Sequence, residues 1–343
     1  MPEGTSIRPE QYYRGSPEAP GRDTPLEFFD SYVPDPVSDA ESYIADAPLR
    51  DAVNAALILS QPLLITGEPG TGKTQLAYSV GRELGYRVLP FNTKSTNVGR
   101  DLLYKYEALR HFQDAHLGLP PKPVKEYISY GKLGMAILYT QPKEKYADWV
   151  PESFVHPGPR RSIVLIDEID KAPRDFPNDL LNELERMYFE VPELGRSNEG
   201  IEANRKLRPL VFITSNSEKS LPDPFLRRCL YYHIPFPSRD RLVEIVLSHD
   251  PFRDAGTPAW LEGAMDFFIR VRGLGGEFEK RPATAELLNW INHLNLVAGL
   301  GGAERFGARP EVIPPSLIAL CKSEADMELC GSALKTWLSE NAR

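Results

Sequence analysis

The chain has 343 residues, 41% of them hydrophobic and 26% charged, an ordinary globular profile with length for two or three domains. It carries 40 basic against 48 acidic side chains, a net charge of −8, which argues against a dedicated nucleic-acid binder while leaving room for a local basic groove. No apolar stretch approaches the roughly 20 residues of a membrane span. The acidic, proline-rich start does not read as a signal peptide. Cys229, Cys321 and Cys330 form no CxxC pair, which suggests buried thiols in a reducing, cytoplasmic setting.

Residues 1–38 carry prolines, glycines and charges without periodicity. They read as a poorly ordered tail or as a wrapping arm docked through Tyr12, Tyr13, Phe28, Phe29 and Tyr32. From Asp39 to Ser60 the pattern turns helical, with Tyr43, Ile44, Leu49, Val53, Ala56 and Leu57 on one face. Tyr43 and Ile44 lie where an adenine base would pack, and they read equally as plain core.

The strongest signal follows. Leu63-Leu64-Ile65 is an apolar run, then comes Gly67-Glu-Pro-Gly-Thr-Gly-Lys-Thr74, then a helical pattern bearing Leu76, Ala77, Val80 and Leu84. Strand, glycine-rich loop and helix make the context of a phosphate-binding P-loop. Gly67, Gly70 and Gly72 let the backbone point successive N–H groups at one anion, across Glu68, Pro69 and Thr71. The helix that starts near Lys73 and Gln75 adds the positive end of its dipole. Lys73 is expected on the β- and γ-phosphates of ATP and the Thr74 hydroxyl on Mg²⁺.

Arg87–Asn92 reads as a second strand. Thr93–Trp149 is longer than a bare βαβ unit needs, so this stretch is an insert. Tyr104, Lys105, Tyr106, Arg110, His111 and Phe112 interleave aromatic and basic groups. They fit a helix with one packed and one wet face, or a loop that grips another polypeptide. Ile163-Val164-Leu165-Ile166 is a strand buried on both faces, and Asp167 and Glu168 stand at its tip. Two carboxylates there require a cation or a shared proton. Asp167 is expected to hold Mg²⁺, and Glu168 to act as general base on the attacking water.

Pro177–Phe189 reads as an amphipathic helix, and 190–209 as a hairpin or loop. Leu210–Thr214 is a further strand, followed by Ser215 and Asn216. Asn216 is placed to orient the water near the γ-phosphate, or serves as a turn residue. Asp223–Arg228 opens a short helix. Its adjacent Arg227 and Arg228 are either surface ion-pair partners or a charge offered to a neighbouring subunit. Leu230–Ile234 is a last strand. Pro235-Phe-Pro237 marks the boundary of a second domain at 238–343, with helices expected near 239–248, 258–272, 282–298, 314–322 and 327–341. Arg281, before a helix start, is positioned to reach a nucleotide at the domain seam.

Over roughly residues 39–343 these features resemble an AAA+ ATPase of the MoxR type, in the clade of CbbQ/NorQ, GvpN and CoxD-like proteins. Gly67–Thr74 and Ile163–Glu168 match the Walker A and Walker B motifs, and Asn216 matches sensor 1. Leu221-Pro-Asp-Pro-Phe-Leu-Arg-Arg228 is similar to the segment written Leu-Pro-Glu-Ala then Leu-Asp-Arg-Phe in the family, which puts the arginine finger on Arg228. Arg227 stands where the family has Asp, so either arginine is a candidate. Arg281 matches the sensor 2 arginine, and the insert's Leu-Tyr-Lys-Tyr-Glu segment is most similar to CoxD-like members.

The resemblance implies an α/β core with a five-stranded parallel sheet in the order 5-1-4-3-2 and an all-α lid. It implies a homo-oligomer, a hexameric ring with ATP between subunits. It also implies a protein client and a von Willebrand factor A domain partner. Two other function classes stay open beside it: a DNA-stimulated or restriction-type NTPase, and a nucleotide-gated scaffold in signalling or antiviral defence.

Overall fold

The computed structural model describes residues 40–118, 120–196, 199–216, 221–249, 252, 257–274, 278–297 and 304–341. The expected tail at 1–38, with its aromatic cluster, lies outside them. Two compact units emerge. One runs up to Glu68 and resumes from Gly72 to Pro235, and the other joins Pro69–Thr71 to the chain from Phe236 onward.

In the α/β unit the elements in chain order are α1 (Ala47–Leu59), β1 (Leu63–Gly67), α2 (Lys73–Leu84) and β2 (Arg87–Asn92). The insert adds β3 (Tyr104–Tyr106), α3 (Ala108–His116), β4 (Ile128–Tyr130) and α4 (Lys132–Leu138). Then come β5 (Ser162–Asp167), α5 (Phe176–Asp179), α6 (Leu181–Arg186), β6 (Tyr188–Phe189), β7 (Ile201–Glu202), β8 (Leu210–Ser215), α7 (Asp223–Leu226) and β9 (Leu230–Ile234). The main sheet has the order β2-β5-β8-β1-β9 with every pairing parallel. Counting only its own strands this is 5-1-4-3-2 read from the far edge, the order that the resemblance implied.

Strand alternation explains the layers. Leu63, Ile65, Ile163, Leu165, Leu210 and Phe212 pack to one side with Leu49, Val53, Leu76 and Val80 of α1 and α2. Leu64, Val164, Ile166, Val211 and Ile213 pack to the other side with the insert residues Leu133, Ile137 and Tyr139. The strands are therefore apolar on both faces, and each fully buried Leu, Ile or Val contributes about 1.5–3 kcal/mol.

Within this unit the structure corrects three local readings. The first helix starts at Ala47 rather than near Asp39. Pro48 fits only a first helical turn, and Asp46 caps that turn by accepting the Leu49 N–H at 2.9 Å. Pro177–Phe189 is not one helix: it splits into α5 and α6, and Met187 at φ 51° ends the run before β6 pairs with β7. The aromatic–basic stretch of the insert is not a single helix either. Tyr104–Tyr106 pairs with Ile128–Tyr130 as a two-stranded antiparallel sheet, and within the stretch only Ala108–His116 is helical.

The helical unit contains α8 (Arg239–Ser248), α9 (Ala259–Gly273), α10 (Thr284–Val297), α11 (Ile313–Ser316) and α12 (Glu324–Glu340). The expected helix at 314–322 is instead α11 followed by a 3-10 turn at Leu317–Ala319, because Pro314 and Pro315 allow only a first turn there. Trp260, Phe267, Phe268 and Trp290 form its core with Leu287 and Leu334, and the Trp290 indole donates to Ser316 Oγ at 2.8 Å. Cys321 and Cys330 are buried there and Cys229 is half-buried in the α/β unit, all as free thiols. Among the described residues no helix is long and apolar enough to cross a membrane.

Candidate nucleotide site

β1 delivers the chain into the loop Gly67–Gly72, and α2 begins at Lys73. Gly70 and Gly72 take φ +77° and +85°, in the left-handed region that L side chains avoid. A Cβ on Gly72 would also stand 2.9 Å from the Tyr43 ring. Tyr43 is thus packed on the loop, whereas Ile44 beside it is 40% exposed. Sequence reasoning left these two residues equivalent; the structure separates them.

Lys73 is 7% exposed. Its ammonium donates to the carbonyls of Gly67 and Glu68, both at 2.9 Å. Burial holds this ammonium below its ordinary value, and the negative field of Asp170, Asp167, Glu168 and Glu68 opposes that shift. The lysine is a buried cation in the negative field of four acids. That balance suits a group whose partners are phosphate oxygens.

β8 lies between β1 and β5 and closes the site. Thr214 is in register with Ile65, and the preceding Ile213 with Ile166. The Thr214 hydroxyl donates to Asp167 Oδ1 at 2.6 Å and accepts the Glu168 N–H at 2.8 Å. The same Asp167 oxygen accepts from the Thr74 hydroxyl at 2.9 Å. Walker A and Walker B residues, 93 positions apart, are therefore joined directly. Glu168 sits at φ 56°, a left-handed backbone uncommon for a non-glycine residue and recurrent at functional sites. Its carboxylate is ion-paired with Lys171.

Asn216 is exposed and meets a residue that sequence reasoning passed over. Its backbone N–H and side-chain amide donate to the two carboxylate oxygens of Asp170, at 3.2 and 3.5 Å. Asp170 reads in sequence as an acid at a turn, and Thr214 as a β-branched strand former. The available signal was a polar residue closing the otherwise apolar run Leu210–Ile213.

Thr74 and Asp167 fit a magnesium site. Mg²⁺ is bound through one or two protein oxygens, with water and phosphate completing its shell. Among the described residues no group of three or more His, Cys, Asp or Glu gathers as an all-protein cage.

Arg227 and Arg228 follow α7 at the opposite end of the sheet. The Leu230 N–H bonds to Pro62 O at 2.8 Å, just before β1 begins. From there β1 and β9 run side by side to Gly67 and Ile234. Five strand residues, roughly 17 Å, thus separate the arginines from their own P-loop. Arg228 Nε donates to Glu185 Oε2 at 3.0 Å and Nη1 to Pro224 O at 3.0 Å.

Arg281 is exposed in the helical unit, and the segment around it is fixed. Asp326, 0% exposed, accepts the backbone N–H groups of Glu279 and Lys280 at 2.9 and 3.3 Å. On the other side the Arg272 guanidinium donates to Pro282 O.

The family model for the ATPase family associated with various cellular activities (AAA) matches residues 63–238, which span the loop, both acids, β8 and the arginine pair. The chain belongs to the AAA family of ATPases. The chain is 24% identical over 277 residues to a mitochondrial Lon protease homolog of Phaeodactylum tricornutum, with 77% of this chain and 26% of that protein covered. It thus spans about a quarter of that relative's length. A solved variant of Thermotoga maritima RuvB has 17% identity and a TM-score of 0.45 over 79% of this chain and 68% of that one. The RuvB Holliday junction branch migration motor of the same organism has 16% identity and a TM-score of 0.43 over 81% and 69%.

Proposed function

We propose that this AAA ATPase is of the MoxR type, hydrolyses ATP between the subunits of a cytoplasmic ring and uses the cycle to remodel or mature a protein client, beside a von Willebrand factor A domain partner. In this reading Gly67, Glu68, Pro69, Gly70, Thr71, Gly72 and Gln75 cradle the phosphates, with Tyr43 and Ile44 toward the base. Lys73 neutralises charge on the β- and γ-phosphates. Thr74 and Asp167 would hold Mg²⁺, which would supply positive charge against the phosphates. Glu168 accepts the proton of the attacking water, Asn216 fixes that water's orientation, and Arg281 contacts the nucleotide from the lid at 238–343.

One observation carries the ring. Arg228 and Lys73 of one subunit stand at opposite ends of the same sheet, so the finger charge faces away from its own phosphates. A guanidinium so placed serves a nucleotide held by another copy, with Arg227 as the alternative donor.

The test has two parts. Glu168→Gln is expected to keep ATP binding and lose turnover; turnover at the wild-type rate would remove Glu168 as the base. Wild-type turnover per subunit is expected to fall on dilution below the assembly concentration, and a dilution-independent rate would refute the shared site. The Glu168→Gln protein with ATP then serves as a trap for the client. DNA-stimulated turnover with steep salt dependence would favour the nucleic-acid motor instead. Nucleotide-dependent assembly with very slow turnover would favour the scaffold.

A further inference from the structure

The amino end of the sheet contains a device that the sequence does not announce. Helix α6 stops abruptly at Arg186, because Met187 takes a left-handed φ of 51°. Its last carbonyls would be left unpaired. Arg208, from the segment entering β8, supplies the missing donors: its Nη2 bonds to Leu184 O at 3.0 Å and to Glu185 O at 2.8 Å. A cation there also suits the negative end of the helix. The backbone of Glu185 is thereby fixed, and its carboxylate meets Arg228 Nε at 3.0 Å.

Arg228 is held at a second point, since its Nη1 donates to Pro224 O. Two of the three guanidinium nitrogens are therefore engaged, which sets the plane of the group. Among the described residues Nη2 has no partner. Arg228 lines a cleft of about 390 Å³ together with Arg227 and Arg208.

We propose that Glu185, held by Arg208, is a positioning residue for Arg228: it presets the guanidinium so that Nη2 meets a phosphate oxygen of a nucleotide bound to a second copy of this chain. This rests on the reading of Arg228 given above. An untethered arginine has many rotamers, and each turnover would have to select one of them. A guanidinium already clamped loses little freedom when the phosphate arrives. The effect belongs to the chemical step, because Arg228 is asked to meet charge that develops on the transferring phosphoryl. Glu185 itself touches no substrate.

The experiment uses the full chain at concentrations where it is assembled, with kcat, KM for ATP and sedimentation measured for each variant. Glu185→Ala is expected to lower kcat on the order of tenfold with KM within about twofold and assembly unchanged. Glu185→Gln, whose amide oxygen can still accept the Nε hydrogen, is expected to recover most of that loss. Arg228→Ala is expected to fall further than either. A wild-type kcat for Glu185→Ala beside an inactive Arg228→Ala overturns the positioning role alone. Equal losses in the Ala and Gln variants, or a loss explained by failed assembly, also overturn it. Arg228→Ala turning over at the wild-type rate overturns the underlying reading and this one with it.

Discussion

At the carboxyl end of the central sheet, Asp167 Oδ1 accepts hydrogen bonds from Thr74 and Thr214, and the Lys73 ammonium is tied to the loop carbonyls behind it. At the amino end, Arg186, Arg205, Arg208, Arg227 and Arg228 line two clefts of about 640 and 390 Å³, with Glu185 and Glu202 the acids among the lining residues. The first end satisfies its charges with hydrogen bonds from within a single chain. The second leaves a cationic excess facing outward. Buried charge is tolerable where partners are fixed beside it, and an outward cationic surplus is inexpensive in water but attracts an anion. Under the proposed function, half of the chemistry is assembled within the subunit and the other half is displayed to a neighbouring copy.

The largest expected effect tests the closed end. Lys73→Ala removes the buried cation facing Asp170, Asp167, Glu168 and Glu68. ATP turnover should fall about 10²–10³-fold, as for the loss of one preorganised electrostatic donor. Binding of a fluorescent ATP analogue should weaken with it. Retained binding would show that the nucleotide sits elsewhere and dissolve the contrast.

Next in size is Thr214→Val. The side chains have nearly the same shape, but the hydroxyl both donates to Asp167 and accepts from the Glu168 N–H. Its removal strands a polar group at the strand tip and should cost about 1–3 kcal/mol in unfolding stability. Turnover should drop as Glu168 loses its anchor. Urea denaturation and steady-state kinetics on the same sample read both effects, and a neutral result would reduce Thr214 to a strand former.

The helical unit offers an independent control. Asp326→Asn leaves one acceptor for the two N–H groups of Glu279 and Lys280 and faces the other with an amide N–H₂. A loss of about 1–3 kcal/mol in urea denaturation is expected; if Arg281 serves the nucleotide as proposed, ATP turnover falls with it.

The two ends also differ in how far they could be read in advance. Gly67–Thr74 and Asp167–Glu168 are contiguous strings in which local chemistry is written in local sequence. Strand pairing needs contacts far apart in the chain, so the sheet order entered through resemblance alone. Thr214 and Asp170 escaped notice because a β-branched residue in a strand and an acid at a turn have ordinary explanations. Glu185, Arg208 and Arg228 are separated by 23 and 43 residues in their bonded pairs, and no periodicity brings them together. Tyr43 and Ile44 were indistinguishable by composition, and only the approach of Gly72 separates them.

The smallest expected effect concerns the open end and decides what its ion pair is for. Arg228 and Glu185 are both substantially exposed, with side chains 42% and 60% accessible. An exposed pair of this kind contributes about 0.2–1 kcal/mol, reduced further by screening at ordinary salt. Glu185→Gln should therefore shift the urea midpoint only slightly at low ionic strength, and the difference should vanish at roughly 0.5 M salt, where screening acts within a few ångströms. If instead the variant loses several kcal/mol, the pair is structural, and the amino end of the sheet resembles the carboxyl end after all. A negligible change in stability beside a measurable change in kcat for Glu185→Ala would mean that the contact acts on orientation: the folded state gains little from it, and the transferring phosphoryl gains a guanidinium already aimed.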